Sequence, residues 1–358
     1  MILVFRILAA PFAFIYACIL FLRNTCYDKN LLRETSFELP IINIGNLAFG
    51  GTGKTPHIEY LIRLLKQQYK VAILSRGYKR KTSGYFFATN ESTAFEIGDE
   101  PTQIKQKFKT EIDLAVSENR VIGVPNLLFD APETDVILLD DAFQHRAIKA
   151  GLNILLTDYN NLFFNDYLTP AGTLREYRAG YKRADLIVVT KCPADLTVLE
   201  KEKIIAQIKP LAKQRVFFSY QKYDSLVHYF DGSIKTIDEL KETDLLLFSG
   251  IAKAQSFEDY LEKSARSVMD AWQFGDHHDF TTEEITQLLA EFDKRASTNK
   301  IIISTEKDAM RLQTDAFKTL LQQYPIYYLP LQVDFFESDK SAFNQYILNY
   351  VEQNKRSY

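Results

Sequence analysis

Ile41-Ile42-Asn43-Ile44-Gly45-Asn46-Leu47-Ala48-Phe49-Gly50-Gly51-Thr52-Gly53-Lys54-Thr55-Pro56 decides the fold of this 358-residue chain. The apolar run Pro40 to Ile44 reads as a buried strand. A glycine-rich loop follows, and after Lys54-Thr55 the apolar residues Ile58, Leu61, Ile62 and Leu65 recur at helical spacing. Strand, glycine loop and helix in that order make a phosphate cradle. Gly50, Gly51 and Gly53, with Thr52 among them, let backbone N–H groups approach phosphate oxygens. Lys54 supplies a point charge to the β- and γ-phosphates, and Thr55 offers a hydroxyl to Mg²⁺. Ala48 stands where the usual pattern has its first glycine, so the signal rests on Gly-Gly-Thr-Gly-Lys-Thr. The alternative is a glycine-rich turn that binds nothing.

The length suits two domains of ordinary size. An apolar fraction of 46% and a charged fraction of 25% are globular averages. A net charge of −3 gives no argument for a nucleic-acid partner. Cys18, Cys26 and Cys192 show neither metal spacing nor a disulfide framework. The N-terminus departs from the average, because Ile7 to Leu22 is uncharged and almost wholly apolar. That run falls short of the ~20 residues of a comfortable span, and its flanks do not suit a signal peptide. Arg23, Lys29 and Arg33 follow it and suit anionic headgroups. The expectation is a helix lying in, or dipping into, the cytoplasmic leaflet. A buried core helix and a transmembrane span are the alternatives.

Val71 to Ser75 is a second buried strand, ended by Arg76-Gly77-Tyr78. Lys79-Arg80-Lys81 and Tyr85-Phe86-Phe87 read as a basic hairpin with an aromatic arm, either a solvated turn or a holder of anionic lipid. In Gly98-Asp99-Glu100-Pro101, Asp99 is the N-cap of a helix through Phe108, or a proton acceptor for a substrate hydroxyl, or both. Asp135 to Asp141 is an apolar strand ending in two carboxylates. In a phosphate-loop protein such an Asp holds Mg²⁺, with Asp140 the better metal ligand and Asp141 orienting it or a water. Arg175, in Gly172-Thr173-Leu174-Arg175-Glu176, stabilises transferred charge or makes a surface ion pair. Thr190-Lys191 ends another strand and resembles the guanine-reading Asn-Lys-x-Asp of G proteins. Thr190 replaces the Asn and Pro193 the Asp, so guanine specificity is poorly supported.

Val216 to Tyr220 and Leu226 to Phe230 read as a paired ribbon. The expected organisation is therefore a membrane-associating helix over 1–35, a core over 36–213, a ribbon over 214–240 and a smaller unit over 241–358. The fold class is α/β: a P-loop NTPase-like parallel-sheet domain and a second α/β domain joined by a β-ribbon. Asp276-His277-His278-Asp279 lies on a loop of the second unit. Its histidines either ligate a metal or work with an acid of the first domain, and Asp279 or Thr281 caps the next helix. Thr305-Glu306-Lys307-Asp308 ends a strand there, facing the same cleft or merely capping its helix.

Taken in order, these stretches resemble one family. Gly45-Asn46 with Gly50-Gly51-Thr52-Gly53-Lys54-Thr55-Pro56, Ser75-Arg76-Gly77-Tyr78, Gly98-Asp99-Glu100-Pro101, Leu139-Asp140-Asp141-x-Phe143-Gln144-His145, Gly172-x-Leu174-Arg175-Glu176, Asp276-His277-His278 and Thr305-Glu306-Lys307-Asp308 follow each other as in tetraacyldisaccharide 4′-kinases. The resemblance implies transfer of the ATP γ-phosphate, with Mg²⁺, to the 4′-hydroxyl of a tetraacyl disaccharide 1-phosphate in lipid A synthesis. It implies an enzyme on the cytoplasmic face of the bacterial inner membrane, working in a cleft between its domains without an obligate protein partner. It makes Asp99 the base with His277 its partner, and Arg175 a phosphate contact. Ala142 stands where the family usually has Gly, and Tyr177 where Pro is common. The competing classes are a membrane-attached nucleotide switch serving a protein partner and a non-catalytic adaptor. The adaptor leaves Lys54, Thr55 and the two aspartates unexplained.

Overall fold

A computed structural model of the chain describes residues 2–251, 254–276, 278–312 and 314–355, with side chains from Ala9 onward. The chain forms two compact units, Met1–Gln221 with Val333–Tyr358, and Lys222–Gln332.

The first unit contains strands β1 (Ile41–Asn46), β2 (Val71–Ser75), β3 (Phe86–Phe87), β4 (Asp113–Val116), β5 (Val136–Asp140), β6 (Leu152–Asp158), β7 (Leu186–Thr190) and most of β8 (Arg215–Tyr223). Its helices are α1 (Ile2–Asp28), α2 (Lys54–Leu65), α3 (Ala94–Ile97), α4 (Asp99–Phe108), α5 (Arg120–Asp130) and α6 (Val198–Ile208). The second unit contains β9 (Leu226–His228), β10 (Ile234–Lys235), β11 (Asp244–Ser249), β12 (Ser267–Gln273), β13 (Lys300–Thr305) and β14 (Ile326–Leu329). Helices α7 (Gln255–Ser264), α8 (Thr282–Lys294), α9 (Glu306–Arg311) and α10 (Asp315–Leu321) accompany them. The chain then returns to the first unit through β15 (Leu331–Phe335) and α11 (Glu337–Asn354).

In the first unit nine strands run in the order β15-β8-β7-β6-β1-β5-β2-β4-β3. From β8 to β4 every neighbour pairs in parallel, and β3 is antiparallel to β4. β1, β2, β5 and β7 are buried at every residue, as a sheet covered on both faces requires. Period-two alternation sorts their side chains between two cores. Ile42, Ile44, Val71 and Ile73 pack with Ile58, Leu61, Ile62 and Leu65 of α2 and with Phe343 and Ile347 of α11. Ile41, Ala72, Leu74, Ile137 and Leu139 pack with Val124 and Leu127 of α5 on the other face. The second unit has a six-stranded sheet, β10-β9-β14-β13-β11-β12, parallel from β14 to β12.

Several expectations need correction. β8 does not pair with β9: its sheet neighbours are β7 and β15, while β9 lies between β10 and β14. The chain therefore crosses between the units twice, after Gln221 and after Gln332, and the C-terminal helix belongs to the first unit, not to a 241–358 domain. Local alternation is the same whichever strand supplies the partner, so it could not reveal this. The basic hairpin is mostly scaffold. Arg80 is buried and ion-paired to Glu118 at 2.5 Å, Phe86 joins one core, and Tyr85 and Phe87 join the other.

Helix α1 is longer than the apolar run alone suggested, and it continues through Pro11. Its segment Ala9–Asp28 is long and apolar enough to cross a membrane. Phe12, Phe14, Ile15, Ile19, Phe21 and Leu22 are exposed. Tyr16 donates to the Arg175 carbonyl (2.9 Å), Arg23 to that of Gln144 (2.7 Å) and Asn24 to Glu176 (3.1 Å). Arg23 is thus bound to protein, rather than left for headgroups as its sequence position suggested.

Asp99 is the first residue of α4, and Gly98 is the cap in its place. Gly98 has φ +91° and ψ 160°, a region open in practice only to glycine. A methyl there would stand 2.8 Å from the Tyr78 carbonyl and 3.2 Å from the Gly77 carbonyl carbon. This backbone contact seats the start of α4 on the loop after β2. Gly98→Ala is expected to destabilise the protein by about 2 kcal/mol, read as a lower unfolding midpoint. An unchanged midpoint would show that the two loops are not locked together.

Candidate active site

β1 and β5 are neighbours, and both end at the same sheet edge, where β1 turns into the glycine loop and β5 into Asp140-Asp141. Parallel α/β sheets bind ligands outside such carboxyl ends. Gly50 (φ +104°) and Gly53 (φ +84°) give the loop its shape, and Lys54 opens α2. A side chain added at Gly50 or Gly51 would meet nothing within 4 Å, so the loop's outer side is open. Asn46 donates to the Thr52 hydroxyl at 2.8 Å. Thr55 lies in the first turn of α2, next to Lys54.

Asp141 collects the cations. Lys54 Nζ stands 3.6 Å from its Oδ2, and Arg175 donates from Nη1 to the same oxygen at 3.0 Å and from Nη2 to Oδ1. Arg175 Nη2 also reaches the Asn46 side-chain oxygen, tying β1 to β5. Residues 47–49 and 173–175 are stitched by backbone bonds, Arg175 N–H to Leu47 (2.8 Å) and Phe49 N–H to Thr173 (2.7 Å). Arg175 is therefore no stray surface pair. Burial acts to raise Asp141, but Lys54 and Arg175 outweigh it and hold the carboxyl below its ordinary range.

Asp140 is treated oppositely. Burial, then the neighbouring Asp141 charge, push it up to about 6, while Lys54 and a 2.9 Å bond from Ser75 Oγ act against this. Glu100 in the first turn of α4 adds to the upward push, which places the helix that begins at Asp99 within electrostatic reach of Asp140. Arg120, buried beneath, donates to the Asp140 carbonyl at 3.0 Å and to that of Ser117 at 3.1 Å. Burial lowers its guanidinium to about 10, so it stays charged at neutral pH.

A second row of side chains holds these groups. Glu176 accepts from Gln144 (3.1 Å), Asn24 (3.1 Å) and Arg183 (2.8 Å), and Gln144 also donates to the Asn46 carbonyl at 2.9 Å. Burial, with Arg120, Arg23 and Arg76, lowers His145 to about 4, so it is neutral at pH 7.

His277 lies outside the described residues. Its neighbour His278 stacks on Phe274 and bonds Glu284 at 3.0 Å, and Thr281, not Asp279, caps α8. Thr305 caps α9, and buried Asp308 accepts from the Gly250 N–H at 3.0 Å. Among the described residues no group of three or more His, Cys, Asp or Glu is placed to hold a metal.

Sequence reasoning missed Arg120 and gave no role to Asn46 or Ser75, although both lie in stretches it quoted. Asn46 and Ser75 are polar last residues of buried strands that run into loops, a signal available from the sequence.

Comparison with known proteins agrees with this geometry. The family model described as tetraacyldisaccharide-1-P 4′-kinase matches residues 5–352. The tetraacyldisaccharide 4′-kinase of Bacteroides thetaiotaomicron is 43% identical over 97% of this chain and 93% of its own length. That of Flavobacterium psychrophilum is 43% identical over 96% of both. A crystal structure of the Aquifex aeolicus member in complex with ATP superposes with a TM-score of 0.76 at 29% identity, over 97% of this chain and 99% of that one. With a phosphate loop, paired carboxylates and a cation fork already in place, this chain belongs to the tetraacyldisaccharide 4′-kinases, the ATP-dependent kinases of lipid A biosynthesis.

Proposed function

We propose that ATP is held by Gly50, Gly51, Thr52, Gly53, Lys54 and Thr55, and that Asp99 takes the proton of the lipid 4′-hydroxyl with His277 as its partner. The observation that supports this reading is the convergence of Lys54 and Arg175 on Asp141 beside Asp140. Two cations held at one sheet edge suit the charge that develops on a transferred phosphoryl group. Asp99, at the start of a helix electrostatically coupled to Asp140, is a carboxylate suited to accept the hydroxyl proton.

Mg²⁺ fits the donor set. Two carboxylates and a hydroxyl are hard oxygen ligands, and a buried Asp140 pushed upward by its neighbour favours a cation beside it. Thr55, Asp140 and Asp141 would hold the ion, which when bound neutralises charge on the β- and γ-phosphates.

The lipid substrate carries its acyl chains in a bilayer, so the enzyme works at that surface. Helix α1 supplies the contact through its exposed aromatic and aliphatic side chains, while Tyr16, Arg23 and Asn24 fasten it to the loops of Gln144 and Arg175. The reading places the protein on the cytoplasmic face of the inner membrane, where ATP is, with no obligate protein partner and no nucleic acid.

The deciding experiment is phosphate transfer from γ-labelled ATP in detergent micelles containing the tetraacyl disaccharide 1-phosphate. Asp99→Ala should cut labelled lipid by about a hundredfold or more with ATP affinity retained. Labelled lipid made equally by both proteins would return Asp99 to a purely structural role. Asp140→Asn should abolish transfer yet stabilise the unliganded protein. An acid whose folded pKa is raised loses stability as pH climbs from its unfolded value, near 4, through about 6. The gain should be about 3 kcal/mol at pH 7 and should vanish towards pH 4 in denaturation curves. A pH-independent difference would refute this account of the site. Phe14→Asp with Ile19→Asp should lower co-sedimentation with anionic phospholipid vesicles about tenfold or more. Undiminished binding would place the membrane contact elsewhere.

A further inference from the structure

Thr190 ends β7 and Lys191 follows it, where a guanine-reading motif would stand, yet both side chains turn to the glycine loop. Lys191 Nζ donates to the Gly51 carbonyl, and Thr190 Oγ1 donates to the Thr52 carbonyl at 2.9 Å. The Gly53 carbonyl takes the third bond, from His57 Nδ1 at 2.6 Å. Three successive carbonyls are thus each held by a side chain from outside the loop.

The consequence follows from peptide geometry. In a trans peptide the N–H points opposite to the preceding C=O. Fixing the carbonyls of Thr52 and Gly53 therefore aims the N–H groups of Gly53 and Lys54 to the other side of the loop. Backbone N–H groups at a helix start are what a phosphate binds. Each holding group is itself held. Lys191 has φ +56° and is ion-paired to Asp158, the last residue of β6, at 2.8 Å. Thr190 Oγ1 lies nearer to Thr52 O than to Thr157 O, 3.3 Å away. His57 is buried, and burial lowers it to about 4. The ring is therefore neutral: Nδ1–H donates to Gly53, and Nε2 accepts from Ser219 Oγ of β8 at 2.9 Å. The ends of β6 and β7 and the middle of β8 grip the loop together.

We propose that Thr190, Lys191 and His57 are positioning residues that preset the phosphate loop for nucleotide, and that Thr190-Lys191 do not read the base. This rests on the Gly50–Thr55 loop being the ATP site, and Lys54→Ala tests that premise separately. If Lys54→Ala leaves ATP affinity unchanged, the premise fails.

Thr190→Val keeps shape and charge while removing the hydroxyl, and Lys191→Met removes the ammonium. Dissociation constants for ATP and GTP, KM for ATP and for lipid, and the unfolding midpoint without nucleotide would be measured on each. Each variant should weaken both nucleotides equally, by about five- to tenfold, with the lipid KM unchanged. Ser219→Ala, which frees the far side of His57 without touching the loop, should shift ATP in the same direction by less. It serves if either first variant does not fold. Loss of one nucleotide more than the other would assign the pair to base reading and overturn the proposal. Unchanged affinity for both would also overturn it, as would equal rises in the KM of ATP and of lipid with a lowered midpoint.

Discussion

The arrangement at the carboxyl edge of the first sheet depends on Asp141 accepting Lys54 and Arg175 at once. The three groups come from the residue after β5, from α2 and from the 169–176 loop, three segments remote in sequence. Removing the carboxylate would leave two cations facing each other in a partly buried site, where the interaction is weakly screened. The same charge weighs on Asp140, one residue earlier and more deeply buried. One acid is thus kept ionised by its partners while the next is raised by that ionisation. Adjacent aspartates acquire opposite tendencies from burial and neighbours alone.

The apolar helix is part of this arrangement and not a separate anchor. Tyr16 bonds the backbone of Arg175, Arg23 that of Gln144, and Asn24 the side chain of Glu176. Glu176 in turn receives Gln144 and Arg183, and Gln144 reaches the end of β1. A force that shifts α1 acts directly on the loops carrying the cation fork. Fastening the exposed apolar helix to the loops of Gln144 and Arg175 limits how far one can move without the other.

The first unit was legible to the extent that its strands are continuous apolar runs, as buried parallel strands are. β1, β2, β5 and β7 stood out that way. β4 did not, because four residues between polar segments carry little signal. The pairing of β8 with β15, and the return of α11, join segments over a hundred residues apart, and no local pattern encodes them. At the site, Lys54, Asp140, Asp141 and Arg175 were readable because reactive groups follow a recognisable order. Arg120 was not, since a buried arginine that bonds carbonyls looks in sequence like any surface helix residue.

Thr190-Lys191 shows how a half-matched motif should be weighed. Measured as a guanine reader it fails at both ends, and in isolation it would be set aside. Its place at the end of β7 survives the failure, because a strand next to β6 in a parallel sheet delivers its last residues beside the loop that leaves β1. A hydroxyl and an ammonium delivered there find backbone carbonyls, whatever base the nucleotide carries. The lysine accepts a left-handed backbone to do so, a cost of roughly 1 kcal/mol that surrounding contacts must offset. Strain of that kind at a strand end, beside a ligand loop, points to what the residue holds in place.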